Sequence, residues 1–172
     1  HGGSIRVFCQ KTMGHGESPA GVQEILRREV LAGLDGSGWM KNFNARLSQL
    51  SSETKNAIEA QPKSTSWFGY GAPAKAVTFI NQFELDKIGI LGIIDDNPAK
   101  QGRFLPRSGI KVVSHAELES VLNLNLNLTN LNCVIFPWNL STEIVSKLIR
   151  YSKYSLKVVW FFPSYREVEL QG

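Results

Sequence analysis

Three short polar segments of this chain carry the residue types that handle anions and rings. The first is Gly69, Tyr70, Gly71, Ala72 and Pro73, followed by Ala74 and Lys75. Gly69 and Gly71 let a backbone turn tightly and approach an anion closely. Pro73 suits a first helical position, where an N–H has no intrahelical use. The amides of Gly71, Ala72 and Ala74 are then expected to point at a phosphate, helped by the helix dipole. Lys75 adds a cation one turn in. The second segment is Asp95, Asp96, Asn97 and Pro98, with Lys100, Arg103, Arg107 and Lys111 behind it. An acid ending a strand commonly accepts bonds from ribose hydroxyls, and arginine suits bidentate phosphate contacts. The third is Pro137, Trp138 and Asn139, in which Trp138 offers a stacking face and Asn139 a reader of polar edges. Each segment has a plainer reading as well. Gly-x-Gly after a strand is often just a tight turn, paired aspartates before Asn-Pro often cap one, basic runs are often solvated, and a tryptophan is often core.

What raises the three above those readings is the set of elements that must position them. From residue 64 onward short apolar strands alternate with helices. Strands are expected over 64–68, 88–94, 110–113, 133–136 and 156–162, the last stopped by Pro163. Helices are expected over 73–83, 116–122 and 141–151, and Ser114 with Glu117 fits a capping box. The run 88–94 is apolar throughout, as a strand covered on both faces should be. This alternation predicts an α/β, Rossmann-like, doubly wound parallel sheet. Right-handed crossovers favour the order 3-2-1-4-5. In that order the first and fourth strands are neighbours, their following helices lie on opposite faces, and ligands bind between their carboxyl ends. All three polar segments fall on that rim. The Asn/Leu run 123–132 reads as a loop insertion, because asparagine is a poor strand former.

The first 62 residues have a different texture. A strand is expected over 5–10, then a glycine-rich loop over 12–21, then two amphipathic helices. Val22, Ile25, Leu26, Val30 and Leu34 mark one apolar face, and Phe43, Leu47, Leu50 and Ile58 the other. Residues 1–62 are read as a connector to a domain upstream, and 63–172 as the ligand-binding domain. The chain starts at His1 and at once enters a strand-like run, so it is read as a piece of a longer protein.

Bulk properties narrow the classes. The 172 residues are 42% hydrophobic and 20% charged, ordinary for a globular chain. A net charge of +4 with dispersed basic residues does not suggest a nucleic-acid partner. No run of about 18 apolar residues is present, and the start lacks the pattern of a signal peptide. Cys9 and Cys133 fit no zinc or disulfide pattern and are expected as buried free thiols in a reducing cytoplasm. His1, His15 and His115 are too far apart to predict a metal site.

Taken bare, Gly69-x-Gly71-x-x-Ala74 with an acid ending the second strand is a dinucleotide fingerprint. That reading makes the chain an NAD(P)-binding domain of an oxidoreductase. Against it stand the stiff Pro98, four following cations, and no recognisable hydride-transfer residues. A non-catalytic assembly domain is the other alternative.

The motifs HGGSIRVF, GYGAPAKAVTFIN, DDNPAKQGRFLP and PWN with a following EI, in this order and spacing, resemble the C-terminal domain of S-adenosylmethionine (SAM)-dependent nucleotide-sugar C-methyltransferases. The resemblance covers nearly the whole chain. It implies a zinc module and a SAM-binding domain upstream, with this region holding an NDP-deoxysugar. It implies substrate contacts from Gly69, Tyr70, Gly71, Ala72, Pro73, Lys75, Asp95, Asp96, Asn97, Lys100, Arg103, Trp138 and Asn139. The catalytic base is expected upstream, with His1 near the junction as a candidate to line the site. The chain departs from the family pattern at Ala76, where glycine is usual, and at Arg107-Ser108, where Gly-Thr is usual.

Overall fold

The computed structural model describes residues 5–9, 11, 19–36, 38–125 and 128–170. The chain divides into two compact units, His1–Gln49 and Leu50–Gly172. The second holds a six-stranded sheet of order β3-β2-β1-β4-β5-β6. Its strands are β1 (Ser66–Tyr70), β2 (Ile90–Ile94), β3 (Val112–Val113), β4 (Leu131–Ile135), β5 (Leu156–Trp160) and β6 (Arg166–Leu170). The first five run parallel, in the expected order, and β6 adds antiparallel to β5. This is the doubly wound, Rossmann-like arrangement that the strand–helix alternation predicts.

Side-chain alternation sorts the strands into two cores. Phe68, Tyr70, Ile94, Cys133, Ile135 and Val158 face one side, where α4 (His115–Leu124) and α5 (Ser141–Leu148) cover them with Leu118, Leu122, Ile144 and Leu148. Trp67, Ile93, Val134, Val159 and Phe161 face the other, covered by Ala76 and Ile80 of α3 (Ala74–Gln82). The helices after β1 and β4 thus lie on opposite faces, which opens the crevice between those strands. Ser114 and Glu117 form the expected capping box, satisfying two end amides at the start of α4.

Several boundaries differ from expectation. A short 3-10 helix, Leu85–Ile88, takes Ile88, the first residue expected in the second strand, and Gly89, with left-handed backbone, ends that helix, so β2 begins at Ile90. The Asn/Leu run is not all loop. Its start continues α4 to Leu124 and its end, Leu131 and Asn132, begins β4; residues 126 and 127 lie outside the described ones. Leu131 is fully buried, so tertiary pairing overrides the weak strand propensity of its asparagine neighbours. β6 was not expected. Its REVEL sequence is charged and exposed, as suits an edge strand that must resist pairing.

In the first unit α1 (Ala20–Leu31) buries none of its residues, so the apolar stripe of Val22, Ile25, Leu26 and Val30 stays exposed. Residues 5–9 are exposed and form no strand, which corrects the expected N-terminal strand; Gln10 lies outside the described residues. A strand needs a paired neighbour, and these residues have none among the described ones. Cys9 is accordingly exposed rather than buried, whereas Cys133 is buried as expected. The residues of α2 (Gly38–Glu59) from Leu50 onward belong to the second unit, where Ala57 and Ile58 pack on the α3-side core. No described helix is long and apolar enough to cross a membrane.

Candidate functional site

The three polar segments meet at the carboxyl ends of β1, β2 and β4. The Gly71 amide donates to the Ile94 carbonyl at 2.6 Å, and the Phe136 amide donates to the Tyr70 carbonyl at 3.1 Å. These bonds join the ends of the three strands side by side.

The two glycines serve packing. A Cβ on Gly69 would lie 2.8 Å from the Phe136 ring and 2.9 Å from Ile93. Gly71 has φ +82°, and a Cβ there would lie 2.6 Å from Pro137. The turn therefore closes on the third segment's proline. Two amides expected to face a phosphate are occupied within the protein. Gly71 N–H is spent on Ile94, and Ala72 N–H donates to Asp95 Oδ2 at 2.8 Å. The amides of Ala74 and Lys75 begin α3 and have no carbonyl four residues back within it.

Asp95 is the knot of this rim. It accepts from Ala72 N–H, from Asn97 N–H at 3.0 Å and from Lys100 Nζ at 2.9 Å, and it is 8% exposed. Burial by itself would raise its pKa; the Lys100 ammonium and the two amides outweigh that and hold it below the usual carboxylate value. Lys100 also donates to the Ala72 carbonyl at 3.2 Å, and Asn97 Oδ1 accepts from Ala99 N–H at 3.0 Å. Asp95, Asn97 and Lys100 thus bind one another and the Gly-x-Gly turn. Arg103 extends from the strand-like segment after Lys100 and is exposed, with no side-chain bond to any described residue.

Asp96 centres a second cluster, on the α4 and α5 side. Tyr70 Oη donates to both its oxygens at 2.9 Å, Lys147 Nζ lies 2.7 Å from Oδ2, and His115 Nε2 lies 3.6 Å from Oδ1. Burial, then the Asp96 hydrogen bond, drives the Tyr70 phenol well up. Burial, with Arg150 next, lowers the His115 imidazole, whose Nδ1 lies 2.8 Å from the Tyr151 hydroxyl. The residue reading missed His115, Lys147 and Tyr151 as neighbours of the site. Lys147 follows Glu143 at helical spacing, but nothing local says that it reaches Asp96, 51 positions away in sequence.

The third group unites the first and third segments. Lys75 Nζ donates to Asn139 Oδ1 at 2.8 Å and sits 3.7 Å from the centroid of the Trp138 ring. Trp138 packs on Phe162 with ring centroids 4.5 Å apart. Burial lowers the Lys75 pKa, and no nearby carboxylate offsets it. Lys75 is therefore a partly desolvated cation without an anionic partner among the described residues. His1 lies outside the described residues. Among these no group of three His, Cys, Asp or Glu side chains could hold a metal ion.

The two departures from the family pattern have distinct settings. Ala76 is fully buried in the core beneath α3. Arg107 has φ +67°, left-handed backbone that suits glycine. Replacing Arg107 by glycine is expected to raise stability by about 0.5–1 kcal/mol, the left-handed penalty less glycine's extra unfolded-state entropy. A urea midpoint measures this; a fall would mean that the Arg107 side chain holds the turn.

Fold, rim and motif order agree with a family assignment. The chain belongs to the family of C-methyltransferase C-terminal domains, whose model matches residues 1–163. Membership ties it to methyl transfer onto carbon rather than to hydride transfer. No curated protein matches the chain.

Proposed function

We propose that this chain is the substrate-holding domain of a SAM-dependent C-methyltransferase acting on a nucleoside-diphosphate deoxysugar. The observation that carries the reading is Lys75: a partly buried ammonium with no carboxylate partner among the described residues, beside a tryptophan and an asparagine, at the crevice between β1 and β4. A diphosphate supplies the missing anion, and the ring and amide suit a base or sugar. SAM contributes the methyl group, and in this reading it is held by an upstream domain of the same protein, which also supplies the base that deprotonates the sugar. The rim here does not suit SAM or NAD, since both carboxylates after β2, where such a ligand's ribose would bond, are engaged by Lys100, Tyr70 and Lys147. The chain's own contribution is to bind and orient the acceptor. The protein works in the cytoplasm in this reading, where sugar nucleotides and SAM are made.

The test is calorimetry on this chain with dTDP, UDP, GDP, CDP, NAD, NADP and SAM. One nucleoside diphosphate is expected to bind, with no response to NAD, NADP or SAM. Lys75→Ala and Arg103→Ala are each expected to weaken that binding by about 1.5–3 kcal/mol, the size of a charge-assisted phosphate contact. Binding of NAD instead would overturn the reading. Unchanged affinity in both variants would overturn the assignment of the basic residues.

A further inference from the structure

The cation of the candidate site covers the very groups that would recognise a ring. Lys75 Nζ lies over Trp138 and holds Asn139 Oδ1, while Phe162 packs against the same tryptophan. A base arriving without phosphate must displace an ammonium that then has no better partner. A phosphate changes this balance, because an ammonium–phosphate hydrogen bond is stronger than one to a neutral amide.

We propose that Lys75 makes recognition of the ligand's base conditional on its phosphates. A phosphate draws the ammonium off Trp138, and that one displacement exposes a ring face for stacking and frees Asn139 Oδ1 to accept from the base. The inference rests on the nucleoside-diphosphate reading and adds a selection rule to it. The site rejects free nucleosides, tolerates inorganic diphosphate, and takes the two parts together more tightly than either alone. A ligand shifts an equilibrium only by its differential affinity for the two states: the phosphate bonds the displaced ammonium, and the base stacks only where the ammonium has left Trp138. The linkage is reciprocal, so a bound base must also tighten the hold on diphosphate.

Two measurements on the 172-residue chain test this. The first titrates thymidine, uridine, guanosine and cytidine, each with and without saturating inorganic pyrophosphate. One nucleoside is expected to bind about tenfold tighter when pyrophosphate is present, an ordinary size for such coupling. Lys75→Ala is expected to abolish that difference, and Lys75→Arg, which keeps the charge, to retain part of it. The second follows the Trp138 indole resonance, the one of the chain's 4 tryptophan signals that Trp138→Phe removes. Pyrophosphate alone is expected to shift it in the native chain and not in Lys75→Ala.

If a nucleoside diphosphate binds but pyrophosphate neither tightens nucleoside binding nor moves the Trp138 signal, the clasp is overturned and the sugar-nucleotide reading stands. Coupling that survives in Lys75→Ala also overturns it. If no nucleoside diphosphate binds, the parent reading fails and the clasp falls with it.

Discussion

Gly71→Ala is expected to destabilise the chain by about 2–4 kcal/mol, combining the left-handed backbone cost with overpacking. The new methyl would sit 2.6 Å from Pro137, which cannot swing away as a long side chain does. Gly89→Ala provides the comparison. Its φ of +72° is similar, but nothing lies within 4 Å of its added Cβ. That variant is expected to lose only the backbone part less the unfolded-state entropy it gains, about 0.5–1 kcal/mol. Urea unfolding of both separates the two costs. If Gly71→Ala is no worse than Gly89→Ala, the close approach to Pro137 contributes nothing, and the rim is more pliant than its geometry indicates.

Asp95→Ala is expected to cost about 2–4 kcal/mol, since it strands two inward-facing amides and the Lys100 ammonium together. Asp95→Asn keeps one carbonyl acceptor and should cost less. The native chain carries a matching pH signature. The Asp95 pKa is depressed in the fold, so its carboxylate contributes stability that is fully present above the unfolded value, near pH 4. That stability is lost as pH falls through the lower folded value. Asp96, also depressed against the opposing effect of burial by Lys147 and Tyr70, adds to the same acid limb. Stability measured from pH 7 down to pH 2 is expected to fall on the acid side, less steeply in Asp95→Asn. An equal slope in the variant would mean that Asp95 titrates alike in both states and does not knot the rim.

These two residues show how far local sequence reaches. Gly71 and Asp95 stand out by type and spacing, and the crossover rule brings their segments to one rim. The partners that give them their work are not legible there. The turn reads as a cradle for phosphate, yet its Ala72 amide is taken by Asp95, 23 positions later in sequence. Trp138 reads as an open stacking face, yet an ammonium from α3 lies on it. Asp96 reads as a ribose acceptor, yet it gathers Tyr70, His115 and Lys147 from three other elements.

The sequence alone determined the alternation of strands and helices, the parallel order of five strands, the capping box at Ser114 and the meeting of three polar segments. Each of these follows from hydrophobic periodicity, chain chirality and local hydrogen bonding, all of which act over short stretches of chain. Only the tertiary structure decided that β6 closes one edge, that residues 5–9 form no strand, and which polar groups satisfy one another. An edge strand is set by the neighbour it pairs with, and a buried carboxylate by donors that folding delivers from afar. Lys75 follows the same physics: its type marks it as a phosphate ligand, but only packing left it partly desolvated on Trp138 with no anion of its own among the described residues.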